Sequence, residues 1–134
     1  MMSRFQDERG ALSTFLAVIA LALLMAAGLA VDGGRKVAAL REASHLADNA
    51  ARAGAQAVDL DALRTTGELR LHPEEATSRA ADYLASLGHQ GQIQVAEDTV
   101  TVTVSLTVHP VLLPIGAITV TATETAAAIT EEPA

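Results

Sequence analysis

Apolar side chains run without a charge from Ala11 to Val31, then thin to a three-and-four spacing, and near the C-terminus alternate one by one with Thr and Ser. The first regime, "ALSTFLAVIALALLMAAGLAV", has only Ser13 and Thr14 as polar side chains. At ~1.5 Å of rise per residue it covers roughly 30 Å, the hydrocarbon thickness of a bilayer. Each Leu, Ile, Val or Phe contributes about −0.3 to −0.6 kcal/mol to insertion, which offsets the two hydroxyls. The pattern predicts a membrane helix over 11–31, with residues 1–10 as a tail on one side and the folded part, 32–130, on the other, ending in a short tail at 131–134.

In the second regime, "RKVAALREASHLADNAARAGAQAV", small or apolar residues at Val37, Leu40, Ala43, Ala47, Ala50, Gly54 and Ala57 mark one buried helix face. Arg41, Glu42, His45, Asp48, Asn49, Arg52 and Gln56 form the solvated one. Periodicity fades over Asp59–His72, which reads as a loop with a short extended piece at Glu68–Leu71. A second helix begins at Pro73, with Glu74 and Glu75 on the positive end of its dipole and Gly88 as its stop. Its expected buried stripe is Ala76, Ala80, Tyr83, Leu84 and Leu87.

The third regime is strand. "TVTVTVSLTVH" from Thr99 alternates without error, and "QIQVA" before it falls into phase when Val95 pairs with Val100 and Ile93 with Val102, leaving Glu97-Asp98 at the turn. "AITVTATETA" supplies Ile118, Val120 and Ala122 inward and Thr119, Thr121, Thr123 and Thr125 outward. The fold class is α+β: a membrane helix continuing into a long amphipathic helix, a second helix, and a three-stranded antiparallel sheet with one wet hydroxyl face. The connection "PVLLPIGA" breaks the rule that loops are polar. Either it folds back over the end of the sheet, or Leu112, Leu113 and Ile115 form an apolar contact for a partner or a lipid surface.

Two readings of the first segment compete. Arg4 and Arg9 make a basic start, and Gly28-Leu29-Ala30 is an acceptable small-x-small site, so signal peptidase could release a secreted soluble binding module after Ala30. The apolar run exceeds the usual secretory core of about 7 to 15 residues, which favours a retained anchor. Asp32 then marks the water boundary. Gly33 and Gly34 either interrupt the helix for about one turn, each costing up to ~1 kcal/mol, or are tolerated in a continuous one. Ala22, Ala26 and Ala30 repeat at the spacing that lets a second helix approach closely in lipid. Counting positive charges alone tilts against an N-terminus inside: only Arg4 and Arg9 precede the span, whereas Arg35, Lys36 and Arg41 follow it.

Composition narrows the chemistry. Net charge is −7 and aromatic residues make up 2%, which argues against nucleic-acid binding and base stacking. There is no cysteine, so disulfides and thiolate chemistry are excluded. His45, His72, His89 and His109 are scattered with no local pair at ligand spacing, and no serine sits in a nucleophile motif. No catalytic residue, metal site, cofactor or small-molecule substrate is expected.

The stretch from Asp7 to Val58, "DERGALSTFLAVIALALLMAAGLAVDGGRKVAALREASHLADNAARAGAQAV", resembles the N-terminal region of TadE/TadG-like pilus-assembly proteins, notably actinobacterial TadG-like members. The C-terminal "VTVTVSLTVHPVLLPIGAITVTATETA" is similar to that family's strand, apolar loop and final strand. The resemblance implies a single-pass protein of the cytoplasmic (inner) membrane, its N-terminus inside and its pilin-like domain outside. It would act as a minor pilin-like or accessory subunit in assembly of Flp (tight-adherence) pili, in the membrane base or in the fibre. Its partners would be other Tad pilus or secretion subunits, with self-association through the span. Prepilin-like relatives are cut after a glycine and carry Glu at the fifth position beyond it; here Phe15 holds that position relative to Gly10, which implies the unprocessed, TadG-like branch.

Overall fold

A computed structural model describes residues 3–129, with side chains from Gly10 onward. Helix α1 (Ser3–Ala55) runs unbroken for 53 residues, about 80 Å at the standard rise. Of the tails expected at 1–10 and 131–134, the first is helical from Ser3 and the second lies outside the described residues. Gly33 and Gly34 are helical, so the tolerated reading holds and the one-turn interruption does not occur. Good helix formers flank both glycines, and extending an existing helix gains one hydrogen bond per residue, which outweighs two local penalties.

One helix and two strands of a three-stranded sheet pack on the C-terminal third of α1. Helix α3 (Pro73–Ser86) starts at the expected proline, and strands β1 (Gly91–Ala96), β2 (Thr99–Val108) and β3 (Ile118–Ala127) form an antiparallel sheet in the order β1-β2-β3. The register is the one the alternation predicts, with Val95 opposite Val100 and Ile93 opposite Val102. Val100, Val102 and Val104 are fully buried on the face toward α1. On the other face Thr101–Thr125, Thr103–Thr123 and Ser105–Thr121 pair through hydroxyl hydrogen bonds of 2.8, 2.9 and 2.9 Å. In each pair one hydroxyl donates to the other across the strands.

The core is aliphatic and tight. Ala43, Ala47, Ala50 and Ala51 of α1 are completely buried beside Ala76, Ala80 and Leu84 of α3. Gly54 marks the closest approach: a Cβ there would stand 2.9 Å from the Ala76 carbonyl oxygen and 3.1 Å from Val100 Cγ1. Glu124, inward in phase on β3, accepts a 2.5 Å hydrogen bond from Ser44 Oγ of α1.

Three expectations need correction. Val37 and Leu40, expected inside, are 49% and 45% exposed; Leu46, Ala51 and Ala55 are buried instead, because burial of α1 by the domain begins only at Ala43. The segment after Asp59 is not a plain loop but a short helix, α2 (Leu60–Thr66), whose first turn is capped by the Asp59 carboxylate accepting from the Asp61 and Ala62 N–H groups. It buries no residue, so it leaves no apolar pattern to read. Leu87 is exposed because the chain leaves helical phase there, just before Gly88 adopts φ +77°. The extended piece before α3 amounts to a single bridge, Leu71 to Val58.

Candidate functional site

The apolar connection between β2 and β3 reaches α1 at the point where the helix leaves its apolar segment, and there Asp32 holds it. The Val111 N–H donates to Asp32 Oδ1 at 3.0 Å, and the Leu112 and Leu113 N–H groups donate to Oδ2 at 3.1 and 2.8 Å. The carboxylate is 8% exposed. Three consecutive N–H groups on one carboxylate form a small anion nest made by the chain for its own side chain. The Val111 hydrogen bond is the largest influence holding the Asp32 pKa below the ordinary aspartate value. Partial burial opposes it, and the Leu113 and Leu112 bonds and the nearby Arg35 charge reinforce it.

One turn earlier, Gly28 is buried under the same loop: a Cβ at Gly28 would lie 3.4 Å from Leu112 Cβ and 3.8 Å from Leu113 Cδ2. Beyond Asp32, an open groove between α1 and the end of β2 is lined by Arg35, Ala39, Glu42, His109 and Val111. The structure thus joins residues that stand far apart in the sequence, Asp32 of the exit and Leu112 and Leu113 of the loop. Gly28, read in the sequence only as part of a cleavage site, proves to be the loop's seat. Ile115 completes the loop by donating its N–H to the Leu113 carbonyl at 2.8 Å. Val111, Leu112 and Ile115 remain 65%, 56% and 52% exposed.

Ala22, Ala26 and Ala30 are exposed and take no part in this arrangement. At 3.6 residues per turn they lie across the helix from Gly28. Gly33, Val37 and Leu40 continue their line, which accounts for the exposure of the last two. The loop and the domain therefore occupy one side of α1, and a small-and-apolar stripe runs along the other.

Among the described residues, no three His, Asp or Glu side chains are placed to hold a metal ion. The helix itself is long and apolar enough to cross a membrane: its most apolar window has a mean hydropathy of 2.6 and is only 6% buried. Leu12, Phe15, Leu16, Leu21 and Leu24 all stand more than half exposed along it. These features are compatible with a single-pass anchor.

Comparison with known proteins bears on the same helix. No curated protein and no solved structure matches the chain. The Tad family model, Flp pilus-assembly TadE/G-like, matches residues 10–57, from the start of the apolar segment through the alanine face that carries the domain. Over that helix the chain is similar to the TadE/TadG-like proteins of Flp pilus assembly.

Proposed function

We propose that the protein is a non-enzymatic, membrane-anchored, minor pilin-like or accessory subunit in the assembly of Flp (Tad) pili. The observation that carries the proposal is one continuous helix, matched by the family over 10–57, which holds both the apolar span and the surface on which the domain is built. A cleaved, secreted module would lose a packed contact: cutting after Ala30 removes Gly28, on which Leu112 sits. In the anchored form the N-terminus lies in the cytoplasm and the α+β domain outside. Ala22, Ala26 and Ala30, on the free side of α1, pack against the helices of other pilus subunits or of a second copy.

The test is the intact mass of native protein from membranes and from sheared surface material. A chain beginning at Met1 or Met2 in membranes supports the anchored subunit. One beginning at Ala11 means prepilin-type processing, and one beginning at Val31 refutes the anchor. Ala26→Leu should reduce co-purification with other pilus proteins while leaving the domain folded; undiminished complexes would remove the stripe from the proposal.

A further inference from the structure

We infer that the Pro110–Gly116 loop is a second membrane contact, a lipid-facing wedge that enters the headgroup–acyl boundary beside the helix exit. The inference rests on reading the apolar segment of α1 as the membrane span. Leu112 packs against Gly28, which lies four residues, or about 6 Å along the axis, inside Asp32. A loop seated there cannot stand clear of a bilayer that the helix crosses. Depths of about 5–10 Å are those at which apolar faces of interfacial segments rest.

The backbone is prepared for that depth. At the headgroup–acyl boundary an unpaired N–H or C=O costs more than in water. From Pro110 through Ile115 no N–H is left over. Pro110 and Pro114 have no N–H, those of Val111, Leu112 and Leu113 go to Asp32, and that of Ile115 goes to the Leu113 carbonyl. A loop bathed in water would need no such arrangement, because water would take its donors. The side chains it displays are Val111, Leu112 and Ile115, and Leu29 and Val31 stand exposed on the helix between Gly28 and Asp32. Within a turn beyond Asp32, exposed Arg35 and Lys36 stand at the level where lipid phosphates lie. The occupant these features fit is phospholipid.

The chain contains no tryptophan, so Leu112→Trp provides a single fluorescent reporter. The full chain is placed in nanodiscs of phosphatidylcholine and phosphatidylglycerol carrying nitroxide labels either shallow or deep on the acyl chain. Leu21→Trp, in the middle of the apolar segment, reports on the span. Emission from the Leu112→Trp protein should be lost mainly to the shallow label, and that from the Leu21→Trp protein mainly to the deep one. Adding Asp32→Ala should relieve the shallow quenching of the first and leave the second unchanged. Ile115→Trp repeats the measurement if Leu112→Trp loses the strand signature in circular dichroism. If the loop reporters escape both labels while the Leu21→Trp protein is quenched, the wedge is refuted and the anchor stands. If the Leu21→Trp protein also escapes, both readings fall. Shallow quenching that persists after Asp32→Ala refutes the role given to the carboxylate.

Discussion

One substitution, glycine to alanine, should act with opposite signs at different points of the same helix. In a helix interior, alanine is favoured over glycine by about 0.8–1.0 kcal/mol. At Gly33 and Gly34 an added Cβ meets nothing within 4 Å, so the full gain is available. It should appear as local stabilisation: hydrogen exchange of the amides just beyond, in the full chain in micelles, should slow about fourfold to fivefold per substitution, the same free energy expressed as a ratio. At Gly54 the Cβ would stand 2.9 Å from the Ala76 carbonyl oxygen and 3.1 and 3.3 Å from the Val100 methyls. The first neighbour is backbone and cannot rotate away, so α1 and α3 must separate slightly. Overpacking of this kind costs about 1–3 kcal/mol. Subtracting the helix gain leaves Gly54→Ala roughly 0–2 kcal/mol less stable, read as a lower urea midpoint with unchanged slope. A Gly54→Ala protein stabilised by the full helix gain would refute the close approach. Unchanged exchange in Gly33→Ala and Gly34→Ala would refute the idea that these glycines are local weak points.

The Asp32 clamp has a defined pH response. A carboxylate whose folded pKa is depressed contributes fully above the ordinary aspartate value and is lost as pH falls through the folded pKa. The amide shifts of Val111, Leu112 and Leu113 should therefore hold constant from neutral pH down through the ordinary aspartate range and move together only below it; movement between pH 5 and 7 would contradict the geometry. Gly28→Leu should displace the loop by filling its seat while leaving Asp32 intact, seen as faster exchange at Leu112 and Leu113 with the sheet amides unaffected. Leu84→Ala, at a side chain 1% exposed, should cost about 2–5 kcal/mol of domain stability by urea denaturation. Asp59→Ala should remove about 0.5–2 kcal/mol from α2 alone, measured as loss of protection over residues 61–66.

What could be read from the chain depended on whether burial stamps a period on it. The sheet buries one face only, so its alternation fixes both phase and register, and Val95 opposite Val100 follows from the pattern alone. Helix α3 carries its proline start and its Ala76, Ala80 and Leu84 stripe for the same reason. Helix α2 buries nothing, so burial left no period by which to read it. Along α1 the three-and-four spacing of Val37 and Leu40 misled, because a stripe records that some surface is covered without saying by what. Here it continues the free side of the helix rather than the side under the sheet. The clamp was beyond reach for another reason. Its donors are backbone N–H groups, which no residue type announces, and its acceptor is 79 to 81 positions away. The usable hints were a lone acid at the end of a charge-free run and an apolar loop whose two prolines reduce its donors.

The continuous helix and the clamp together have a mechanical consequence. A span followed by a flexible glycine joint would let the domain swing, and any surface it offered to a partner would be presented at a spread of angles. Here Gly33 and Gly34 are helical, and the loop ties the far end of β2 to Gly28 and Asp32. The domain is therefore attached to the exit at two points. Helix α1 carries it outward from one, so that the packed core begins at Ala43, about 16 Å along the axis from Asp32. The second attachment, the loop, opposes bending of the helix at the glycines, because bending in that plane must stretch three hydrogen bonds to one carboxylate. Two weak residues in the helix are thus tolerable for the domain's orientation as long as Asp32 remains charged and the loop stays seated. Releasing the loop by Asp32→Ala should widen the distribution of distances between spin labels placed in the span and on β2. Substituting alanine for both glycines in that background should narrow it again; a distribution indifferent to all three changes would mean that the rigidity of the exit resides elsewhere.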